Sequence, residues 1–501
     1  MFVRRSLQTR SARTVVPGYR PHCSGALVAP LASGADVKGD TSTSAPLPKS
    51  ARYAGFLSIF WLWAGGNVLL TNFISGSSYS IGLGFWNMLV VTVAGFMLGY
   101  AFCSWNSQRS ARYGVDEIVS LRPAFGHRGS SYGTLLLVCI NFGWVGILAS
   151  LAGTAAHIVA HGQGVSFQGD YYVYAIGAGI VLPLLIITYS QKAAFIVSRF
   201  AVPVLVVFVL YIVFRLATDG HMATIVGHPG DGSAGWADAF EIVFAFSISW
   251  FPYLGSWNRF SKTEKSSFWG TYLGLLLTGV MFAVVGGMAT LATGEIDPAV
   301  WANELDLGLV SLLIIILGTV TAVTHLLGSG STGILSTFPR TNYRVVCLLV
   351  TTPSIIFVFG SSLQEIFNIL LVFIGLLVGP YWAVALADYF FLRKQKFDVR
   401  ACFDRSGPYW YVRGFNPFAF ASTLVGMIVW LFLGGWLSGF SLLTFPAGQT
   451  AFNYISATLP AMAVSGLVYY LLGKTVVPRL GMGGYKAVVG ARIPAMVPAK
   501  S

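Results

Sequence analysis

The chain has 501 residues, of which 55% are hydrophobic and only 10% charged, with a mean hydropathy of +0.70. A soluble domain carries roughly 25% charged residues, so a soluble globular enzyme is excluded and the composition is that of an all-α polytopic membrane protein. The net charge of +13 does not argue for a nucleic-acid partner, because the basic residues are confined to alternate connections between apolar segments.

Residues 1–52 carry Arg4, Arg5, Arg10, Arg13 and Arg20 with no acid before Asp36. They read as a disordered basic tail, with a cleaved organelle transit peptide as the alternative. A window of about 20 apolar residues then places twelve spans at 54–76, 83–105, 133–160, 171–190, 193–218, 237–257, 268–294, 308–330, 342–360, 363–391, 416–437 and 451–472. The expected organisation is a ten-helix core over 53–394, a loop over 395–415, two further helices over 416–473 and a C-terminal tail over 474–501. With both tails on one side, all but Arg215 of the 31 Lys and Arg lie on or near that side, which the positive-inside rule makes cytoplasmic. Such a chain belongs in the plasma membrane, or in an organelle envelope if the N-terminus is a transit peptide. Cys23, Cys103, Cys139, Cys347 and Cys402 show no CxxC spacing, so neither a disulfide nor a metal site is expected.

The first span, AGFLSIFWLWAGGNVLLTNFISG, is interrupted at its centre by Gly65, Gly66 and Asn67. In the third, Asn141 and Trp144 are three residues apart and share a helix face. An indole platform beside an amide suits a planar heterocycle with polar edges, although a tryptophan there equally serves helix packing. The sixth, EIVFAFSISWFPYLGSWNRF, breaks at Pro252 and Gly255. Proline removes a backbone donor and glycine is a poor helix former, so backbone groups there lose their helical partners. Irregular backbone at membrane depth is tolerated where it lines a cavity, which puts Phe246, Ser247 and Trp250 against a ligand. Interruptions in spans one and six, five apart, predict an inverted repeat of five plus five helices with broken helices 1 and 6, followed by two C-terminal helices.

The eighth span places Thr319, Thr321, Thr324 and His325 inside the membrane. Hydroxyl and carbonyl oxygens suit a small cation, and histidine is the side chain whose charge changes near neutrality. Threonines that bond their own helix and a neutral packed histidine are the alternative. Asp388 and Arg393, at the end of span ten, are expected to pair at the headgroup level.

Five stretches in order, LRPAFGHRGS, INFGWVG, SRFAVPVL, SWFPYLGSWNRF running into FWGTYLG, and GPYWAVALADYFFLRK, resemble the purine/cytosine permease family, the first nucleobase:cation symporter family, over roughly residues 52 to 440. The resemblance implies a secondary transporter importing a nucleobase or related heterocycle with Na⁺ or H⁺ by alternating access, needing no cofactor and no protein partner beyond the lipid bilayer. It implies that Trp144 stacks on the substrate ring, that Asn141 contacts its edge, and that Phe246 and Ser247, or Trp250 in a shifted register, cover the other face. Gly66, Asn67 and His325 complete the expected substrate site. For a cation it implies Gly65, Val68, Val320, Val323 and Thr324, but Val323 lacks the hydroxyl the family pattern requires. Ser256 also stands where the family usually has an aspartate ahead of Arg259. Substrates of the hydantoin, allantoin or thiamine type are the alternative on this scaffold. A membrane enzyme would need clustered acids, histidines or a nucleophile, and a receptor without transport activity is the third reading.

Overall fold

A computed structural model describes residues 45–485 apart from 69, 163, 190, 360–362 and 437–445. Most of the expected N-terminal tail, Cys23 and the end of the C-terminal tail lie outside the described residues. Eight helices among those described are long and apolar enough to cross a membrane, and Tyr343–Val358 and Pro417–Leu433 are shorter apolar helices. The remaining crossings are composites. Span one is Phe56–Asn67 continued by the start of Leu70–Tyr113, which also holds span two. The two spans are separated at Gly84, where φ is 70° and a Cβ would lie 2.4 Å from the His228 carbonyl oxygen. Only glycine meets both conditions at low cost. Span six is Trp236–Ile248, the 3₁₀ turn Phe251–Tyr253 and Leu254–Asn258. Span twelve is Pro446–Ile455 followed by Thr458–Thr475.

The two halves mirror each other in their connections. The short helix Glu117–Phe125 follows span two on the side of the basic loops, and Pro298–Glu304 follows span seven beside the acidic loop. Each begins at an aspartate, Asp116 or Asp297, whose carboxylate accepts an orphan amide of the first turn. The same device on opposite sides, one half apart, agrees with the predicted inverted repeat.

Spans eleven and twelve join the core through Glu241 of span six. Its carboxylate accepts from Trp430 Nε1 at 3.1 Å, from the amides of Ala457 and Thr458 at 3.0 and 2.9 Å, and from the Thr458 hydroxyl. Four donors satisfy both oxygens of this carboxyl group inside the bundle.

The tail boundaries differ from those expected. Leu47 donates its amide to the Gly114 carbonyl at 2.7 Å and Arg52 Nη1 reaches the Ala111 carbonyl at 2.5 Å, so 45–52 are seated on the end of span two. The chain after span twelve returns to the core, where the Gly483 carbonyl accepts from Arg393 Nη1 at 2.8 Å and Tyr485 donates to Asp388 at 2.8 Å. That return changes the setting of the Asp388–Arg393 pair, expected at the headgroups. The two are 2.5 Å apart, and the returning segment and the 395–415 loop bury them to 2% and 4% exposure.

Candidate functional site

The broken middle of span six faces spans three and eight across a cavity lined by Trp144, Leu148, Ser249, Trp250, Tyr253 and Leu326. Its volume is about 10 Å³, room for roughly one water, so the walls stand contracted relative to the several hundred Å³ of a typical ligand site. Trp144 is braced edge-on by Phe246 at 5.3 Å and by Phe367 of span ten at 5.9 Å. Trp250 is braced by Trp63 at 5.4 Å and Tyr253 at 5.6 Å. Two indoles from different spans therefore meet one space, each held in orientation by other rings.

Phe246 is behind Trp144 rather than on the cavity wall. Ser247 faces away from it: its hydroxyl donates to the Val243 carbonyl at 2.7 Å, its carbonyl accepts from Cys103 Sγ at 3.3 Å, and it packs on Gly99 of span two. The shifted register, with Trp250 on the wall, is the one the fold adopts. The reason is that residues 246 and 247 are a full turn before the break and still follow helical phase.

Asn141 is also absent from the wall. It is fully buried opposite Gly330 of span eight, where a Cβ would lie 3.5 Å from its amide nitrogen, and neither amide atom has a hydrogen-bond partner among the described residues. Three residues along a helix keep the face but drop nearly a turn towards the basic side, and that turn separates Asn141 from the cavity.

The break in span one is held by Asn67. Its Nδ2 donates to the Leu275 carbonyl at 2.7 Å and Thr278 Oγ1 at 3.3 Å, while its Oδ1 accepts from Trp250 Nε1 at 3.1 Å and Tyr100 at 3.2 Å. Asn67 thus fastens spans one, two, six and seven and aims Trp250. Gly66 lies where a Cβ would be 3.4 Å from the His325 ring and 3.6 Å from Trp250, and Gly65 is pressed on Ser198 of span five.

His325 is 1% exposed at this junction, beside the cavity rather than on its wall. Nδ1 is 2.7 Å from the Thr321 carbonyl, which only accepts, so Nδ1 carries a hydrogen. Nε2 is 3.4 Å from Ser198 Oγ, and the ring is 5.4 Å from that of Trp257.

Of the cation set, Val68 turns its carbonyl towards span eight, 3.3 Å from where a Cβ of Gly318 would be. The Thr324 hydroxyl donates to the Val320 carbonyl at 2.7 Å and that of Thr321 to the Leu317 carbonyl at 2.7 Å. Val323 is fully buried and offers no oxygen. Val68 is thus brought to span eight beside Gly318, while Thr324 and Val320 are joined by a back-bond within span eight itself. Ser256, which stands where the family usually has an aspartate, instead donates to one, since Asp116 at the start of the loop helix accepts from Ser256 at 2.8 Å and from Ser336 at 3.0 Å.

Leu148, Ser249, Tyr253 and Leu326 were not predicted on the wall. Leu148 is one turn from Trp144 and was open to that inference. Ser249 and Tyr253 depend on how the chain turns through Pro252.

The family model for permeases for cytosine/purines, uracil, thiamine and allantoin matches residues 46–465, from the segment before span one into span twelve. The chain belongs to this family. Among curated relatives, the purine-uracil permease NCS1 of Arabidopsis thaliana is 22% identical over 463 residues, covering 85% of this chain and 76% of that one. The hydantoin permease of Microbacterium maritypicum is 21% identical over 421 residues, covering 77% and 83%. Among solved structures, Mhp1, a nucleobase-cation-symport-1 family transporter in a closed conformation with bromovinylhydantoin bound, aligns with a TM-score of 0.72 at 18% identity, covering 89% of this chain and 96% of that one. The protein is therefore a multi-pass membrane permease and not an enzyme.

Proposed function

We propose that this permease imports a planar nitrogen heterocycle of the nucleobase, hydantoin or allantoin class, coupled to a proton, by alternating access. The observation that carries the substrate class is the pair of braced indoles, Trp144 and Trp250, meeting one cavity at a break in span six. Indole faces bind flat rings without regard to their edge pattern, and the relatives are named for purine, uracil and hydantoin transport. Trp144 is the stacking platform, Trp250 the opposing wall aimed by Asn67, and Gly66 the point where backbone comes close to both Trp250 and His325. The basic loops and both termini face the cytoplasm, and the plasma membrane is the compartment, with an organelle envelope the alternative if the Arg-rich N-terminus is cleaved.

The coupling ion is assigned to His325 rather than to a sodium cage. Val323 removes one of the hydroxyl oxygens that the family pattern requires of a sodium cage. His325 instead joins spans one, five, six and eight, so its protonation changes contacts between elements that must separate.

The test is uptake of labelled uracil, hypoxanthine, hydantoin and allantoin by proteoliposomes. Saturable uptake of at least one, competed by the others, is expected, and no uptake above protein-free vesicles for any of them overturns the substrate class.

A further inference from the structure

We infer that the hydrogen bond from Ser256 to Asp116 is the latch that closes the cavity towards the basic loops, and that its release opens the substrate's path on that side. The latch presupposes the proposed heterocycle transport and adds the residues that control one of its two faces. Alternating access needs contacts on each side of the site that are made in one state and broken in the other. The cavity walls come from spans three, six and eight, so on the basic side the second half of span six has to part from its neighbours.

That half, Leu254–Asn258, meets the loop helix at Gly255, where a Cβ would be 2.1 Å from the Glu117 amide nitrogen. A glycine has no side chain to interlock, so packing at this seam opposes separation only weakly. The next residue supplies the bond: Ser256 donates to Asp116 Oδ1 at 2.8 Å, and both side chains are buried. Such a bond weakens steeply once its geometry is lost, and an opened seam admits water to both partners, so it can be exchanged rather than left unmade. The serine matters here, because the aspartate usual at its position in the family could not donate to Asp116 when ionised.

Asp116 is held for this part from the other side. Its Oδ2 accepts from Ser336 at 3.0 Å and from the Ile118 amide at 3.1 Å, which fix the plane of the carboxyl group. Ser336 lies ten residues beyond Leu326 of the cavity wall, about 15 Å along a helix, so the latch stands at the basic end of span eight and clear of the cavity. The loop helix is anchored away from span six. Glu117 Oε1 accepts from Asn106 at 2.9 Å, Arg109 at 2.7 Å and Trp382 at 2.9 Å, and Arg122 donates to the Ser336 and Cys402 carbonyls at 2.9 and 2.8 Å. Spans two, eight and ten and the 395–415 loop thus form a frame around the helix, and Ser256 bonds span six to that frame.

The experiment measures the half-saturating concentrations of labelled uracil, hypoxanthine, hydantoin and allantoin from each face, in right-side-out and inside-out membrane vesicles, with sidedness read from tryptic cleavage at the exposed Lys396 and Arg400. In Ser256→Ala the ratio between the two faces should move about five- to tenfold in favour of the basic-loop face, because the state open there gains population. A merely structural loss would lower uptake from both faces alike and leave the ratio unchanged. Adding Ser336→Ala to Ser256→Ala should shift the ratio no further, since Asp116 then no longer holds span six. Ser336→Ala alone only unsteadies the carboxyl group, so it should move the ratio the same way by less, and it keeps the test open if Ser256→Ala does not fold. An unchanged ratio in Ser256→Ala, or in Ser336→Ala where only that variant folds, overturns the latch and leaves heterocycle transport standing, as does a further shift in the double variant. No transport of any of the four probes by wild type overturns both.

Discussion

The breaks in spans one and six interrupt comparable apolar runs, yet they are built differently and do different work. The first ends at Asn67 without a proline and is held by one side chain bonded to spans two, six and seven. The second turns through Pro252 and is held from outside, because Gly255 lies against the loop helix, with a Cβ there only 2.1 Å from the Glu117 amide nitrogen. The first break places no side chain on the cavity wall, and the second places Ser249, Trp250 and Tyr253 there. An interrupted membrane helix can therefore be a fastening or a wall, and what distinguishes them is whether the side chains at the break bond neighbouring spans or line the cavity.

The largest effect is expected where the second break meets the loop helix. Gly255→Leu would drive a side chain into the backbone of Glu117, which cannot rotate away, at a cost above the roughly 1–3 kcal/mol of ordinary overpacking. Loss of monodisperse protein on size-exclusion chromatography is expected, and a well-folded Gly255→Leu variant would show that the contact is not needed. Asn67→Ala tests the fastening. It strands the Trp250 indole N–H, at about 1–3 kcal/mol, so a lower melting temperature and weaker substrate binding should appear together. Weaker binding with an unchanged melting temperature would instead make Asn67 a direct substrate contact.

Much of this difference was legible in the residues. The spans and both breaks follow from apolar run length and the backbone chemistry of Gly65, Gly66, Pro252 and Gly255. Trp144 and Trp250 were legible as candidates from their indoles, and both line the cavity. The register at the break was not, since residues past Ile248 leave helical phase through a 3₁₀ turn and only then is it decided that Trp250 and Tyr253, not Ser247, face the cavity. Asn141 misled because a shared helix face does not fix depth. The seating of Gly65 on Ser198 and the bond from Ser256 to Asp116 are long-range contacts with no local signal.

Trp144→Ala sharpens the comparison from the cavity side. Stacking of an aromatic on a base is worth about 1–3 kcal/mol, so substrate affinity should fall tenfold or more. Trp144 is packed by Phe246 and Phe367, and some loss of melting temperature is also expected. Titration of ligand against the detergent-purified variant separates the two, and wild-type affinity would remove Trp144 from the site.

The smallest effect on binding, and the most informative for coupling, is expected at His325, where the first break touches spans five and eight. Its Nδ1 hydrogen is committed to the Thr321 carbonyl at 2.7 Å. Its Nε2 faces Ser198, whose hydroxyl already donates to the Ala194 carbonyl at 2.6 Å. A neutral His325 therefore turns a bare nitrogen towards an oxygen that has no hydrogen left to offer, and span eight gains no bond to span five. A proton on Nε2 changes this, because the imidazolium then donates to Ser198 Oγ while Ser198 keeps its bond to Ala194. Protonation thus adds a donor at a ring that already meets Ser198 of span five and the Leu62 carbonyl of span one, beside the glycines, Gly65 and Gly66, that bring the first break into contact with Ser198 and His325. A proton taken up from one side would favour the arrangement in which these spans touch, and its release would favour their separation. His325→Gln keeps a hydrogen-bonding side chain of related reach but cannot be charged. It should bind substrate nearly as wild type does and exchange it across proteoliposome membranes at equilibrium, while uptake no longer responds to an imposed pH gradient. Wild-type uptake should persist with sodium replaced by choline and rise with an inward proton gradient. Loss of uptake in choline, with no response to the gradient, would return the coupling role to the Val68 carbonyl and Thr324 and leave His325 a packed neutral residue.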